Sequence, residues 1–283
     1  MPHLTTPAGV TWHYDVEGEG NNILFLHGWG ASSRIWRQQT KYFSQSYRVC
    51  SIDLPGHGKS SWRPMTLDEM AEDIAGILKH AGFQQTTIVA SSLGGLVALK
   101  IFRRGSPQVQ RLVFVGSQPK FQRSEDYPFG LEARRIAKLA GQLATDYPAM
   151  VHIFFRSLFT PHERRTRRYR WIQTFRNSEE VPGKEALLSA LNILAEEDLR
   201  PELFSVDIPV QFINGTEDYI CLHATFDYIR RNLPHARFDW FENCGHYPFL
   251  CYPDEFNQRV ETFLRETAFH GTATGAKHAV EAD

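Results

Sequence analysis

Ser92 has the sequence surroundings of a catalytic nucleophile. It lies in the run ASSLGG at positions 90–95, after a short β-branched stretch at 86–89 and before apolar residues at helical spacing. Small residues two positions before and after the serine let the backbone turn sharply between a strand and a helix without a side-chain clash. The hydroxyl then lies near a helix N-terminus, where developing negative charge is stabilised. The pattern predicts a nucleophilic serine, and an ordinary turn of small residues is the alternative.

An aspartate and a histidine follow Ser92 in the order that this chemistry needs. A serine hydroxyl becomes nucleophilic when an imidazole takes its proton, and a carboxylate must hold that imidazole in the right tautomer. Asp218 follows one short apolar run and His246, preceded by a glycine, follows the next, so both are expected in loops at the carboxyl ends of strands. His246 is therefore the predicted general base and Asp218 its orienting acid. Glu217, beside Asp218, is the alternative acid.

Two backbone N–H groups are expected to stabilise the oxyanion of the reaction. One comes from Leu93, the residue after the nucleophile, and the other from Trp29, in a glycine-rich loop that follows an early apolar run. The indole of Trp29 would line the pocket. We interpret His27, Asp53 and His57, which lie in turn-rich segments after strands, as residues that hold the scaffold rather than as catalytic groups.

The order of apolar patterns predicts the elements that carry these residues. Short apolar runs alternate with helical patterns, which is typical of a mostly parallel sheet covered by helices. The predicted strands are Val10–Tyr14, Ile23–Leu26, Arg48–Asp53, Thr87–Val89, Arg111–Val115, Val210–Asn214 and Arg237–Phe241. The predicted helices are Arg34–Phe43, Leu67–Ala81, Leu93–Arg104, His223–Asn232 and Pro253–Glu266. Thr66 and Glu69 have the spacing of a capping box at the start of the second helix.

The alternation stops in the middle of the chain. Residues 118–197 show only helical periods broken by prolines, which predicts a helical lid inserted into a core formed by residues 1–117 and 198–266. Residues 267–283 are rich in Ala, Gly and Thr without periodicity, which predicts a disordered tail. The predicted fold class is therefore α/β, with one core domain, a lid and a tail.

Composition excludes several other classes of protein. The 283 residues carry a net charge of −1, which gives no electrostatic case for binding nucleic acid or a membrane surface. No apolar stretch approaches the ~20 residues of a transmembrane helix, and the N-terminus does not resemble a signal peptide. The four cysteines have no metal-ligand spacing, so reduced thiols and a cytoplasmic enzyme are expected. The predicted chemistry needs neither a metal nor an organic cofactor.

The predicted lid contains a cluster of arginines. Between residues 156 and 176 there are seven arginines, no lysine and one acid, Glu163, so a positive segment lies within a chain of net charge −1. Guanidinium groups suit bidentate recognition of carboxylate or phosphate, so an acidic or phosphorylated partner is one interpretation of this cluster; a solvated helix face is the alternative. We expect contacts with the substrate or with such a partner at Phe121, Phe154, Arg164 and Arg168.

Together these motifs resemble those of α/β-hydrolases. The landmarks of that superfamily are matched by HGWG at 27–30, DLPGHG at 53–58, SLGG at 92–95 and GH at 245–246, with agreement from about Leu24 to Phe263. Further segments, including SQPKF at 117–121 and HYPF at 246–249, are similar to the carboxylesterases that hydrolyse the methyl ester of pimeloyl-[acyl-carrier protein] in biotin synthesis. Ala90-Ser91 stands where those esterases usually have Gly-Trp, which removes an aromatic side chain from the pocket.

The resemblance implies an α/β-hydrolase fold and a serine carboxylesterase that releases methanol from a carrier-linked methyl ester through an acyl-enzyme. It also implies an acidic acyl carrier protein with a phosphopantetheine arm as the partner of the arginine cluster. A dehalogenase or an epoxide hydrolase would need an aspartate in place of Ser92. Three alternatives use the same fold: a short-chain carboxylesterase of broad specificity, a hydrolase of carbon–carbon bonds in ring-cleavage products, and a receptor-like binding protein with little turnover.

Overall fold

Within the described residues, 2–105 and 108–267, the computed structural model contains one sheet of eight strands. The strands are β1 (His3–Thr5), β2 (Thr11–Glu17), β3 (Asn21–Leu26), β4 (Tyr47–Ile52), β5 (Thr86–Ser91), β6 (Val109–Val115), β7 (Val210–Gly215) and β8 (Arg237–Phe241). Their order is β1-β2-β4-β3-β5-β6-β7-β8. The pairs β1–β2 and β2–β4 are antiparallel and the other neighbouring pairs are parallel. This arrangement confirms the predicted α/β class.

The predicted strands are present, with their ends displaced by up to three residues. The sequence does not predict β1, because its three residues alternate between exposed and half-buried positions and give no apolar pattern. All six residues of β5 are buried, as expected for a central strand covered on both faces. Since β5 runs on to Ser91, the nucleophile candidate follows the last residue of the strand directly.

The helices that accompany the sheet also match the prediction closely. They are α1 (Arg37–Phe43), α2 (Leu67–His80), α3 (Leu93–Arg104), α9 (His223–Asn232) and α11 (Pro253–Glu266). The short helix α10 (Pro248–Cys251) is not predicted from the sequence. A 3-10 helix at Ser33–Trp36 divides the predicted helix Arg34–Phe43 into two parts. The capping box is confirmed, since Glu69 N–H donates to Thr66 Oγ1 (3.2 Å) and Thr66 N–H donates to Glu69 Oε2 (2.8 Å). None of the helices in the described ranges has the length and apolar character needed to cross a bilayer.

A helical segment separates β6 from β7, and we call residues 118–197 the inserted segment. The helices between these strands are α4 (Ala133–Thr145), α5 (Ala149–Ser157), α6 (Arg167–Asn177), α7 (Lys184–Glu196) and α8 (Arg200–Phe204), with a 3-10 helix at Glu163–Arg165. Helix α4 packs against α5 and α7, and α6 contacts α10. The division into core and lid stays a prediction. The predicted tail lies outside the described residues apart from Thr267.

An aromatic stack joins an early segment of the chain to a late one. Trp36 stacks on Phe25 of β3, with 5.0 Å between ring centroids, and on Phe249 of α10, with 4.1 Å. All three side chains are fully buried. Because large aromatic side chains contribute heavily to core stability, the stack fixes the loop after β3 relative to the loop before α10.

The parallel strands place four candidate residues at one edge of the sheet. Strands β3, β5, β7 and β8 share one direction, so their carboxyl ends meet at the same edge. The loops after these strands carry, in that order, Trp29, Ser92, Asp218 and His246. The topology therefore brings together residues that lie far apart in the sequence.

Candidate active site

Ser92 adopts a backbone conformation that few side chains tolerate. Its φ of 53° and ψ of −121° lie at the turn between β5 and α3, and such positive φ values cost a non-glycine residue roughly 1–3 kcal/mol. Its N–H donates to Val115 O (3.0 Å). Its carbonyl accepts from the Ser117 hydroxyl (2.8 Å) and from Gly95 N–H (2.9 Å). The surrounding hydrogen bonds thus hold the strained turn that the small residues of this run predict.

Neighbouring small residues make the turn sterically feasible. A Cβ atom at Gly94 would lie 2.7 Å from His27 O, and one at Gly95 would lie 2.0 Å from Ser117 Oγ. Ala90, the unusual first residue of the motif, is fully buried in β5. A methyl group is thus accommodated at the first position, whereas the positions after the nucleophile leave no room for one.

The imidazole of His246 is hydrogen-bonded to Asp218. His246 Nδ1 donates to Asp218 Oδ2 (2.8 Å), and both residues are buried. The other carboxylate oxygen, Oδ1, accepts from the N–H groups of Ile220 (2.8 Å) and Cys221 (3.2 Å). With the Nδ1 proton held by the carboxylate, Nε2 is left as an acceptor, which is the tautomer of a general base. Glu217, the alternative acid, is exposed and has no hydrogen bond to His246 within the described residues.

A glycine that the sequence reasoning missed makes room for this imidazole. Gly116 follows β6 with a φ of 53°, and a Cβ atom there would lie 2.9 Å from both Nδ1 and Cε1 of His246. Any side chain at this position would displace the ring from its place beside Asp218. The sequence could have indicated this role for Gly116, because the glycine directly follows a predicted strand whose carboxyl end lies at the edge of the site.

The inserted segment holds the backbone of the histidine loop, a contact that the sequence reasoning also missed. His246 N–H donates to Leu158 O (2.9 Å). The buried carboxylate of Glu163 accepts from Gly245 N–H (3.2 Å to Oε2) and from Thr160 N–H (2.7 Å). A Cβ atom at Gly245 would lie 2.3 Å from Leu158 O, so only glycine permits this approach. The position of His246 therefore depends on the inserted segment as well as on the sheet.

The loop that carries Trp29 is held by two buried histidines. His27 Nε2 accepts from Leu54 N–H (2.9 Å), and its Nδ1 lies 2.8 Å from Gly28 O. His57 Nε2 accepts from Gly30 N–H (3.3 Å). Burial lowers the pKa of both imidazoles, that of His57 to about 3, so both rings are neutral at pH 7. These contacts are the scaffold role that the sequence predicts for His27 and His57.

Asp53 organises the segment beside this loop. Its carboxylate accepts from the N–H groups of Ser33 (2.7 Å) and Lys59 (2.9 Å), and it lies 3.0 Å from His13 Nδ1. Burial alone would raise the pKa of this carboxyl, but the hydrogen bond from His13 and those from the Lys59 and Ser33 N–H groups lower it below the usual range. Asp53 is thus an ionised structural acid, as the sequence predicts.

The predicted oxyanion donors lie where the loop after β3 meets the serine turn. A Cβ atom at Gly28 would lie 2.9 Å from Ser92 Cβ, so the loop packs directly against the serine. Within ranges 2–105 and 108–267, the structure gives neither Trp29 N–H nor Leu93 N–H an acceptor. The Trp29 indole donates to Leu187 O (2.9 Å) and packs edge-on against Phe154, with ring centroids 4.9 Å apart.

A cavity of 380 Å³ adjoins these residues. Ser92 and His246 both line it, together with Trp29 and the predicted contacts Phe121 and Phe154. Most of the other lining side chains are apolar and come from α4, α5 and α7. A cavity of this size and character suits an apolar chain of a small ligand that reaches the serine hydroxyl.

Polar groups of α4 also line this cavity. Arg135 and Lys138 are exposed and lie three residues apart, and Gln142 follows one turn later. The sequence reasoning missed them, although their spacing on one face of a helix that also presents Ile136 and Leu139 is a visible signal. An anionic group on the outer part of a ligand would meet positive charge at this rim.

The structure does not bring the other two predicted contacts into the cavity. Arg164 and Arg168 are absent from its lining. Arg164 Nη1 donates to Phe159 O (2.8 Å). Arg168 Nε donates to Leu250 O (2.6 Å), and its Nη2 donates to Gln38. Both guanidinium groups therefore stabilise the fold around the inserted segment.

One set of donors could face a metal ion, but its chemistry does not favour one. Ligand atoms of Asp218, Cys221 and His246 lie within 4.8 Å of one another. Burial raises the pKa of the Cys221 thiol well above its ordinary value, so it stays protonated, whereas a metal binds the thiolate. Both oxygens of Asp218 already accept hydrogen bonds.

The site combines a strained serine turn with a buried histidine–aspartate pair and an adjoining apolar cavity. On a mostly parallel sheet, this combination is typical of serine hydrolases. Residues 21–251 match the family model described as the alpha/beta hydrolase fold, and the chain belongs to that family. The match confirms the resemblance and the hydrolase class predicted from the sequence.

Curated proteins of similar sequence indicate which hydrolases this chain resembles. The chain is 34% identical over 245 residues to the pimeloyl-[acyl-carrier protein] methyl ester esterase of Nitrosomonas europaea, covering 86% of this chain and 96% of that protein. The esterase of the same name from Aromatoleum aromaticum is 32% identical, with 86% and 98% covered. Among solved structures, an esterase from Exiguobacterium antarcticum has a TM-score of 0.85 at 23% identity, over 93% of this chain and 98% of that one. The last likeness concerns the fold alone.

Proposed function

We propose that the protein is a serine carboxylesterase in which Ser92, His246 and Asp218 form the catalytic triad. The observation that carries the proposal is the buried His246–Asp218 hydrogen bond (2.8 Å) beside a cavity that Ser92 also lines. Family membership and the curated esterases of similar sequence support the same activity. The backbone N–H groups of Trp29 and Leu93 are the proposed oxyanion donors.

The reaction follows from these positions. His246 Nε2 takes the hydroxyl proton while Ser92 Oγ attacks the ester carbonyl, and the N–H groups of Trp29 and Leu93 bind the resulting oxyanion. Collapse of the tetrahedral intermediate expels the alcohol, which takes the proton from His246. Water, activated by the same imidazole, then hydrolyses the acyl-enzyme. Asp218 stabilises the imidazolium throughout and is not itself protonated.

We further propose that the substrate is the methyl ester of a pimeloyl chain attached to an acyl carrier protein. The apolar cavity would hold the chain, with Phe121 and Phe154 in its wall and the exposed cations of α4 at its rim. The curated relatives carry this substrate in their names. The four free thiols suit a reducing compartment, and we place the activity in the cytoplasm.

The arginine cluster is the proposed docking surface for the acidic carrier. Arg164 and Arg168 retain guanidinium N–H groups beyond those bonded to backbone carbonyls. Three further arginines of this segment, Arg165, Arg167 and Arg170, are exposed. An acidic partner would be attracted by the whole segment and oriented by bidentate contacts with individual guanidinium groups.

The activity is tested with a small ester and a carrier-bound ester side by side. Ser92→Ala should abolish hydrolysis of both p-nitrophenyl butyrate and pimeloyl-carrier methyl ester, whereas Ser91→Ala, its buried neighbour, should retain both. Persistent activity of Ser92→Ala refutes the triad. Activity on the small ester with no release of methanol from the carrier-bound ester refutes the proposed substrate and favours an esterase of broad specificity.

Docking is tested by charge reversal at exposed positions. The double variant Arg165→Glu with Arg170→Glu should raise KM for the carrier-bound ester about tenfold or more and leave the small ester unchanged. Arg231→Glu, an exposed arginine on α9, is the matched control. Equal loss with both substrates, or equal effects of the control, refutes the docking surface.

A further inference from the structure

A second cavity lies against α5 and α6, outside the candidate active site. Its volume is 250 Å³, and its polar lining comes from His152, Arg156, Tyr169, Gln173, Arg176 and Asn177. This lining supplies two guanidinium groups, an imidazole, two side-chain amides and a phenol, and it contains no carboxylate. Such a donor-rich, cationic lining suits an oxyanion.

Arg176 is the feature that most needs a ligand. The residue is only 4% exposed, and its Nη2 donates to Gly30 O (2.9 Å). Its Nε, however, is buried and has no hydrogen-bond partner within the described residues. A buried N–H donor on a charged group is destabilising until an acceptor binds to it, because that N–H has lost its hydrogen bond to water without gaining one to the protein.

The charges near this cavity leave it positive. Glu179 is the acid that interacts with Arg176, but its carboxylate also binds Arg34 (2.8 Å) and the Ser32 hydroxyl. Arg156 is exposed and forms no ion pair within the described ranges. An entering anion would therefore meet one buried and one exposed guanidinium without displacing an acidic side chain from the lining.

We propose that this cavity binds a phosphate group, with Arg176 and Arg156 as its charged donors and the amides of Gln173 and Asn177 as neutral donors. Phosphate fits better than carboxylate because the lining offers donors from two helices to a tetrahedral anion, whereas a planar carboxylate is satisfied by a single guanidinium fork. The proposal rests on this cavity alone and does not depend on the esterase activity. The group could be inorganic phosphate or the phosphate of a larger ester such as 4′-phosphopantetheine.

The test is calorimetric titration of the full chain with inorganic phosphate, with 4′-phosphopantetheine and with acetate, at constant ionic strength. Saturable binding of phosphate through the millimolar range is expected, with acetate much weaker. Arg156→Gln should weaken phosphate binding about tenfold or more, because a charge-assisted hydrogen bond is lost. Arg231→Gln, at an exposed arginine on α9 outside the lining, is the matched control and should bind as the wild type does.

The outcomes distinguish inorganic phosphate from a phosphate ester and show whether the proposal holds. Tighter binding of 4′-phosphopantetheine than of phosphate assigns the cavity to a phosphate ester, and equal binding assigns it to the free anion. Arg176→Lys keeps the charge but lacks Nε, and it should lose binding; if it does not fold, Arg156→Gln decides. Absence of saturable binding, acetate binding as tight as phosphate, or equal weakening by Arg156→Gln and Arg231→Gln overturns the proposal.

Discussion

Replacement of Glu163 tests whether the inserted segment positions the catalytic base. The Glu163 carboxylate is buried and accepts hydrogen bonds from the N–H groups of Thr160 and Gly245, the residue before His246. It does not line the cavity of the candidate active site. A change at this position should therefore act on the reaction through the backbone of the histidine loop and not through contact with the substrate, so it should lower kcat while leaving KM for a small ester unchanged.

The expected loss of stability follows from the two hydrogen bonds that Glu163 accepts. Glu163→Gln keeps an oxygen that can accept from either N–H but loses the charge, so the free energy of unfolding should fall by about 1–2 kcal/mol. Glu163→Ala leaves two buried N–H groups unpaired, at about 1–3 kcal/mol each, which is a large part of the stability of a typical domain. Since a displacement of ~1 Å at a reacting group can cost about 100-fold, we expect Glu163→Gln to lower kcat about tenfold.

The assay combines urea unfolding with steady-state hydrolysis of p-nitrophenyl butyrate. Glu217→Gln is the matched control, because Glu217 is an exposed acid beside Asp218 and should affect neither measurement. A Glu163→Gln protein that is less stable but retains kcat within about twofold would refute the positioning role, and Glu163 would then only stabilise the fold. An equal rise in KM would also contradict it, since the residue does not face the substrate.

Three further predictions follow from single groups. Asp218→Asn should lower kcat about 10³- to 10⁴-fold, because an amide N–H facing the imidazole selects the wrong tautomer; a larger loss for Glu217→Gln, measured on the same small ester, contradicts the acid assignment. Ser91→Ala should raise Tm by about 2–4 °C, because the Ser91 hydroxyl is buried without a partner in the described residues; a lower Tm in calorimetry contradicts this. Burial lowers the pKa of His57 to about 3 and also lowers that of His27, so below pH ~6.5 the unfolded chain binds protons that the folded protein does not. The contribution of these histidines to the free energy of unfolding should be fully present above pH ~6.5. Below that pH, His57 alone should lower the free energy of unfolding by up to about 1.4 kcal/mol per pH unit towards pH ~3. A free energy of unfolding in urea that stays constant between about pH 7 and pH 4.5 argues against two neutral imidazoles.

The sheet and the order of the site residues could be predicted because both depend on local patterns. Parallel strands give short apolar runs, and their carboxyl ends share one edge, so residues that follow such runs become neighbours. Ser92, Asp218 and His246 each follow a strand by a few residues, which made their spacing informative. Strand β1 was missed because three residues with alternating exposure carry no such pattern.

The contacts made by the inserted segment could not be predicted from spacing. Glu163 is the single acid within a run of arginines, and a charge count cannot tell a solvated acid from a buried one. Its bond to Gly245 spans 82 residues and needs a backbone approach that only the fold creates. The same count treats seven arginines alike, although Arg176 is buried and Arg165 is exposed.

These contacts have a common consequence for the chemistry. Arg176 donates to the carbonyl of Gly30, which follows the proposed oxyanion donor Trp29. Glu163 accepts from the residue before the proposed base. The inserted segment therefore contacts the backbone next to a proposed oxyanion donor and next to the proposed base, two groups whose positions the transition state requires. We infer that substitutions in this segment should change kcat as well as substrate preference, which a segment acting only as a cover over the cavity would not do.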